Sequence, residues 1–347
     1  MLIYVIIIAC FIGWVFLLIP SIIYLLTSWK TKFENLESCF GDEALKLYFL
    51  KFGRCKRIVG GENLHDRFRQ NYFRHYGRRH YVIPLILLSL IAGISVVLIA
   101  GSLLHWLNLS SYLKSLPPIA ISALLGSYMW VAVDQVRRCR MRDFTAHDVY
   151  ICNLRFLIAI PLGFSFAAVV KDPIGIPLAF FLGTFPANTL LKFGRRFVSQ
   201  KLRLGEQSPE ARSELEQLQS INMVEAERYQ EEGVTNILQL TYADPVELTI
   251  RTNFDFIYVV DCMSQGLLWL YLGKNVDKLR LLGLRGSHEA RVLFELLKSG
   301  ATEQKRMAND NLKSIAKVLN IGPETLKKTL FEIAEDPYTE FIYKIWC

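Results

Sequence analysis

The sequence predicts an all-α protein in two parts: a polytopic membrane domain over residues 1–204 with five transmembrane helices, and a cytosolic, all-helical domain over residues 205–347. Three observations predict it. Five apolar stretches, at 2–26, 82–104, 116–133, 150–170 and 174–191, are each near the length that a hydrocarbon core of about 30 Å requires of a helix. Lys and Arg collect in alternate connections between those stretches. Beyond residue 204 the long apolar runs stop, and aliphatic residues recur at helical spacing among charged ones.

The first stretch has no Lys or Arg before it, whereas Lys30 and Lys32 follow it. A cleaved secretory signal has the opposite polarity and ends in small residues, so the stretch reads as a retained anchor with its N-terminus outside. The next connection, a basic insert over 29–81, holds twelve Lys/Arg, among them Arg54, Lys56 and Arg57. Only Lys114 falls within 105–115, after the second stretch. Arg137, Arg138, Arg140 and Arg142 follow the third, and Lys171-Asp172-Pro173 makes a tight hairpin after the fourth. Lys192, Arg195, Arg196, Lys201 and Arg203 follow the fifth. The positive-inside rule then puts the C-terminus in the cytosol of a bacterial inner membrane or a plasma membrane. The outward connections, 105–115 and 171–173, are too short for a folded domain, which excludes a receptor for an extracellular protein ligand.

Charge divides along the same line. Residues 1–204 carry 24 Lys/Arg against 10 Asp/Glu, and residues 205–347 carry 16 against 22, so the overall +8 belongs to the first part. That excess is explained by topology and anionic headgroups of the inner leaflet rather than by nucleic acid. The seven cysteines, an odd number with no CxxC pair, lie in the expected spans or on the cytosolic side. Neither a disulfide framework nor a metal site is expected.

Within the first part, Gly175, Ala179, Gly183 and Ala187 recur every four residues on one face of the fifth span. Small residues at that spacing let helix backbones approach closely, so this face is expected to pack against a neighbouring helix or to form the seam of a homo-oligomer. Shorter versions occur at Ala9/Gly13, Ser89/Gly93 and Ser122/Gly126. Pro161, Pro177 and Pro186 free backbone carbonyls that neighbours or water must satisfy. Asp134 and Arg155 are expected to snorkel to the headgroups from the cytosolic ends of their spans, and Asn188 is the amide placed well inside one. Lacking an ionisable group at the midplane, the spans are not expected to form an ion-coupled transporter. In the basic insert, Leu64, Phe68, Tyr72 and Tyr76 recur at i+4 among Arg67, Arg69, Arg74, Arg78 and Arg79. This pattern predicts an amphipathic helix along the inner headgroups, with those five arginines contacting lipid.

In the second part, 206–232 is charged and helical in period, with Leu215, Leu218, Ile221 and Met223/Val224 on its apolar face. A helix–turn–helix element then recurs three times, with turns at Gly233-Val234, Gly283-Leu284 and Asn320-Ile321. Gly, and less often Asn, tolerates the left-handed backbone that ends a helix. Ile237 with Leu240, Leu279 with Leu282, and Ile315 with Leu319 are the expected core pairs. Residues 226–252 and 279–297 resemble helix-hairpin-helix or sterile-alpha-motif-like modules, through Glu232-Gly233-Val234-Thr235, Leu240 and Ala243-Asp244-Pro245. Ile315-Ala316, Leu319, Ile321 and Thr325-Leu326 resemble a helix-turn-helix, with Asn320 where that family prefers Gly. The resemblance implies modules that often hold DNA backbone. This chain departs from them: Gly283-Leu284-Arg285-Gly286 lacks the Gly–hydrophobic–Gly hairpin, Lys327 and Lys328 sit among Glu324, Glu332 and Glu335, and the domain is acidic. DNA is therefore not the expected partner.

No phosphate loop, HExxH, GxSxG or EF-hand spacing occurs, and no cofactor is expected. Asp255 and Asp261 are six apart, out of line on a helix, and read as capping or solvated carboxylates rather than a catalytic pair. The aromatic segment 341–347 lacks a prenylation box and is expected to pack against the domain or a partner. The expectation is a non-enzymatic multi-pass membrane protein whose cytosolic helical domain oligomerises or recruits a protein partner and couples that event to the spans. A channel or membrane effector gated from the cytosol, or a membrane-tethered nucleic-acid-binding regulator, are the alternatives.

Overall fold

The computed structural model describes residues 2–53, 63–106, 117–141, 144–169, 174–184, 213–299 and 301–346. Among them every regular element is a helix, and no strand occurs. Five helical stretches are long and apolar enough to cross a membrane: Ile3–Ser38, Leu64–His105, Pro118–Arg140, Ala146–Ala168 and Phe256–Arg280. The first four coincide with the expected spans. The fifth expected span, 174–191, is described only as the ten-residue apolar helix Gly175–Thr184.

The chain forms two compact units, one of Met1–Phe33 with Tyr72–Ser208 and one of Glu34–Asn71 with Pro209–Cys347. This division differs from the expected one at 204/205, because most of the basic insert folds with the C-terminal half. Two of its three crossings fall inside helices, α1 (Leu2–Ser38) and α3 (Leu64–Tyr76); the third, between Ser208 and Pro209, lies outside the described residues.

In the first unit α1 is followed by α4 (Arg79–Trp106), α5 (Pro118–Arg140), α6 (Ala146–Val169) and α7 (Gly175–Thr184). Individual hydrogen bonds set their directions. Tyr128 Oη donates to Gly13 O at 2.9 Å and Ser21 Oγ to Gln135 Oε1 at 3.1 Å, so α1 and α5 run the same way. Trp14 Nε1 donates to Ser89 O at 2.9 Å, while Tyr24 stacks near Tyr81, so α4 runs against α1. Arg138 on α5 reaches Asp148 at the start of α6, and Ala120 meets Gly163 near its end, so that pair is also antiparallel. Ser122 Oγ donates to Ile176 O at 2.6 Å and Ser127 Oγ to Gly183 O at 3.4 Å, which sets α7 parallel to α5. Successive helices therefore alternate in direction, as a chain threading one layer back and forth must.

The two small-residue faces meet each other. Gly175, Ala179 and Gly183 are buried, and α7 lies directly on the Ser122/Gly126 face of α5. A Cβ on Gly126 would fall on Phe180 O, and one on Gly183 would fall on Ala123 O and lie 2.9 Å from Ser127 N. The face is thus used for packing within the chain, while Ala187 lies outside the described residues.

The second unit contains α2 (Asp42–Lys51), most of α3, and α8 (Met223–Glu231), α9 (Ile237–Tyr242), α10 (Pro245–Thr252), α11 (Phe256–Leu272), α12 (Val276–Arg280), α13 (Ser287–Ser299), α14 (Thr302–Leu319), α15 (Pro323–Glu335) and α16 (Pro337–Trp346). Of the helix expected over 206–232, the described residues form α8 from Met223 on, where Asn222 caps it by accepting from Val224 N and Glu225 N, and Met223 and Val224, expected on the apolar face, are exposed. Leu215, Leu218 and Ile221 are nonetheless buried, in and after a 3-10 turn over Glu214–Gln217.

The three expected turns share one backbone pattern. Gly233, Gly283 and Asn320 have φ of 85°, 79° and 55°. The next residue then bonds back five positions: Val234 N to Tyr229 O, Leu284 N to Leu279 O and Ile321 N to Ala316 O, at 2.9–3.1 Å. This is the Schellman closure, which satisfies carbonyls that a helix end leaves open. Ile237, Leu240, Leu279 and Ile315 are fully buried, with Leu282 and Leu319 partly so.

The apolar α11 has span-like composition for a different reason. It lies at the centre of this unit, with α9, α10, α13, α15 and α16 packed on it, and Val259, Val260, Met263, Leu267 and Leu268 have no exposed surface. A helix apolar on most sides is what either lipid or a protein core demands.

Gly183→Ile forces α7 off α5, because the added branch lands on backbone that no rotamer can move. It is expected to cost at least the 1–3 kcal/mol or so of an overpacked core and to lower the thermal unfolding midpoint in detergent. Leu182→Ile, one position round the helix and half-buried, is expected to leave that midpoint nearly unchanged.

Candidate functional site

The first unit holds a cluster of buried charge where α5 ends and α6 begins. Two local devices build it. Arg137, Arg138 and Arg140 occupy the last turn of α5, where cations complement the helix dipole. Thr145 and Asp148 then form a capping box at the start of α6: Thr145 N and Oγ1 donate to Asp148 Oδ2 at 2.8 and 2.7 Å, and Asp148 N donates back to Thr145 Oγ1 at 3.2 Å.

Arg138 ties the two devices together. Its Nε donates to Asp134 Oδ2 at 2.7 Å, and its Nη1 lies 2.9 Å from Asp148 Oδ1. Arg137 Nη2 holds the other oxygen of Asp134 at 2.5 Å. Asp134 and Asp148 have 4% and 2% of their surface exposed, so both carboxylates depend on these partners. Ser21 and Gln135 share a hydrogen bond one residue along, and Asn153 Nδ2 donates to Pro84 O at 2.9 Å. Four helices therefore meet around one polar level.

About two turns further along α6, Arg155 is also buried. Its Nε and Nη2 donate to Gly183 O at 3.1 and 2.6 Å, and Nη2 is 3.4 Å from Leu182 O. Its guanidinium lies 5.3 Å over the Trp130 ring. Two buried carboxylates, Asp134 and Asp148, thus meet the half-buried Arg138 and the exposed Arg137, while the buried Arg155 is met by carbonyls.

This corrects the expectation that Asp134 and Arg155 snorkel: both are enclosed by neighbouring helices. Asn153, near the start of its span, is buried between α4 and α6. Asn188 itself lies outside the described residues. Chemically, the cluster is a clamp. Each of its charges already has its partner.

The other expected positions are distributed as follows. Phe68 is buried against Phe40 and Tyr48 in the second unit, and Tyr72 against Trp29 and Phe33 in the first, so protein aromatics rather than headgroups cover that stripe. Arg67 lies 4.9 Å over the Phe49 ring, and Arg69 pairs with Glu37 at 3.7 Å. Arg78 lies over Trp29, and Arg79 Nη2 donates to Arg74 O at 2.7 Å. The five arginines do not form one surface; Arg74, Arg78 and Arg79 gather at the α3–α4 turn, exposed.

At the repeat turns, Gly286 N donates to Glu289 Oε2 at 2.8 Å, Thr235 N to Gln239 Oε1 at 2.8 Å, and Arg285 pairs with Asp261. Asp255 caps α11 through Ile257 N. Asp261 also accepts from Ser220 Oγ and Gln265 Nε2. Among the described residues no group of His, Cys, Asp and Glu is arranged to hold a metal. Compared with protein-family models, curated protein sequences and solved structures, the chain finds no match.

The cluster had one readable signal in the sequence: Thr145-x-x-Asp148 before an apolar run has capping-box spacing. Arg138→Leu leaves two buried carboxylates short of a partner and is expected to destabilise the protein by about 3–5 kcal/mol. Arg137→Gln, at a side chain 60% exposed, is expected to cost under about 1 kcal/mol. Unfolding midpoints of the two variants in the same detergent check the contrast.

Proposed function

We propose that this chain is a non-enzymatic, multi-pass membrane protein whose helical unit oligomerises or recruits a cytosolic protein partner and passes that event to the membrane-spanning helices. The N-terminus is outside and the C-terminus cytosolic. The observation that carries the reading is where the chain divides. The second unit takes in 34–71 as well as the C-terminal half, and the chain passes between units within α1 and within α3. Such a unit is not hung from one flexible tether. A helix transmits bending and rotation that a loop would absorb, so ordering or displacement in the second unit acts on the first through two helices.

Two further features support it. The alternating helix directions of the first unit agree with the Lys/Arg pattern, and Arg74, Arg78 and Arg79 stand ready for anionic headgroups. At two of the repeat turns, amides of the kind that would meet a nucleic-acid phosphate are engaged by Glu289 and Gln239, which favours protein over nucleic acid as partner.

Two measurements on the full chain test this. A cysteine placed at Ser115 is expected to react with an impermeant reagent from outside, while a reporter after residue 346 stays cytosolic; the same side for both would overturn the topology. Lysine crosslinking in native membranes is expected to join Lys305, Lys313, Lys327 or Lys328, all exposed, to a second copy or a cytosolic protein. Absence of such crosslinks together with ion conductance by the reconstituted protein would replace this reading with a pore.

A further inference from the structure

The segment 42–52 belongs to the connection between α1 and α4, yet it is laid against the C-terminal helices of its unit. Phe52 packs on Phe341 and Tyr338, with ring centres 5.5 and 5.8 Å apart, and Tyr48 packs near Phe341. Lys344 pairs with Glu43 at 2.5 Å, and Lys51 lies over the Tyr338 ring. In the middle is one hydrogen-bonded carboxylate. Tyr48 Oη donates to Asp244 Oδ2 at 3.0 Å and to Oδ1 at 3.2 Å. Asp244 Oδ1 also caps α10, accepting from Val246 N at 2.9 Å and Glu247 N at 3.2 Å.

The groups facing Asp244 leave it without a cation. On α10, Glu247 adds negative charge and is bound by Arg251. On α2 the facing group is Tyr48. On α16, Lys344 is turned to Glu43, and on α9, Tyr242 meets the Tyr338 ring. No Lys or Arg pairs with Asp244 among the described residues. Asp244 is partly buried, and the loss of water around it outweighs its hydrogen bonds, pushing the carboxyl up to about 6 from its ordinary 3.8.

We propose that the Tyr48–Asp244 contact is a pH-sensitive clasp, which holds the 42–52 segment on the C-terminal helices in mildly acidic conditions and loosens as pH rises. When the segment lifts, Asp244 regains water and its ordinary acidity. The docked state therefore binds a proton more tightly than the undocked one. Docking is fully supported below about pH 4, weakens as pH rises towards 6, and is weakest above it. The inference concerns a contact inside one unit and stands whether or not that unit recruits a partner.

Hydrogen–deuterium exchange of the full chain in lipid nanodiscs at pH 5 and pH 7.5, corrected for intrinsic exchange, tests it. Protection of the α2 amides is expected to fall by about 10-fold at the higher pH in the natural protein, the part of the shift from 3.8 to about 6 that is still to be lost above pH 5. Asp244→Asn still caps α10 and still accepts from Tyr48, and is expected to protect α2 equally at both pH values. The same pH response in both proteins, or none in the natural one, would overturn the clasp. If Asp244→Asn does not fold, Tyr48→Phe takes its place. Removing the donor that eases the ionised carboxylate should weaken docking at pH 7.5 more than at pH 5. An equal loss at both would also overturn it.

Discussion

A backbone carbonyl in hydrocarbon has nothing to bond except protein, and the first unit is organised around that constraint. Its closest contact, α7 on α5, is possible because Gly126 and Gly183 carry no side chain to hold the backbones apart. Close approach then lets short side chains do what water does elsewhere: Ser122 and Ser127 reach across to carbonyls of α7. Arg155 completes the arrangement by serving carbonyls at the end of the described part of α7. Those oxygens and the Trp130 ring are what its charge meets in the protein.

The second unit solves a different problem, that of ending many short helices without loose polar groups. Three left-handed turns, at Gly233, Gly283 and Asn320, repeat one closure, and side-chain caps at Asn222, Asn236, Asp244 and Asp255 open the helices that follow. Short helices closed in this way can be folded around a single central one. That is the position of α11, whose buried Gln265 and half-buried Asp261 are held by the Ser220 segment and by Arg285.

What could be read from the sequence was local. The repeat turns depend on residues within five positions of each other, and the alternating helix directions follow from where cations lie. Periodicity identified the stripe through Phe68 and Tyr72, but a period says that a face is apolar, not what covers it. For the same reason α11 could not be told from a span by composition. The ladder on α7 was legible as a packing face, yet its partner, the Ser122/Gly126 face, follows only from which helices become neighbours. Arg138 was counted as a topological cation because Asp148, its second partner, lies beyond a turn. Tyr48 and Asp244 meet across 196 residues, a distance over which no local pattern speaks.

That separation also sets an order in time. α2 is made early, and although Phe40 and Phe68 meet Tyr48 from the same stretch of chain, the side carrying Phe52 lacks its Tyr338 and Phe341 partners until the C-terminal helices have been translated. At about 5–20 residues per second, the 196 residues between Tyr48 and Asp244 take roughly 10–40 s to synthesise. During that interval part of an apolar segment stands uncovered beside a growing chain. A ribosome that stalls within 54–243 leaves a product whose first helices are complete and whose second unit cannot close.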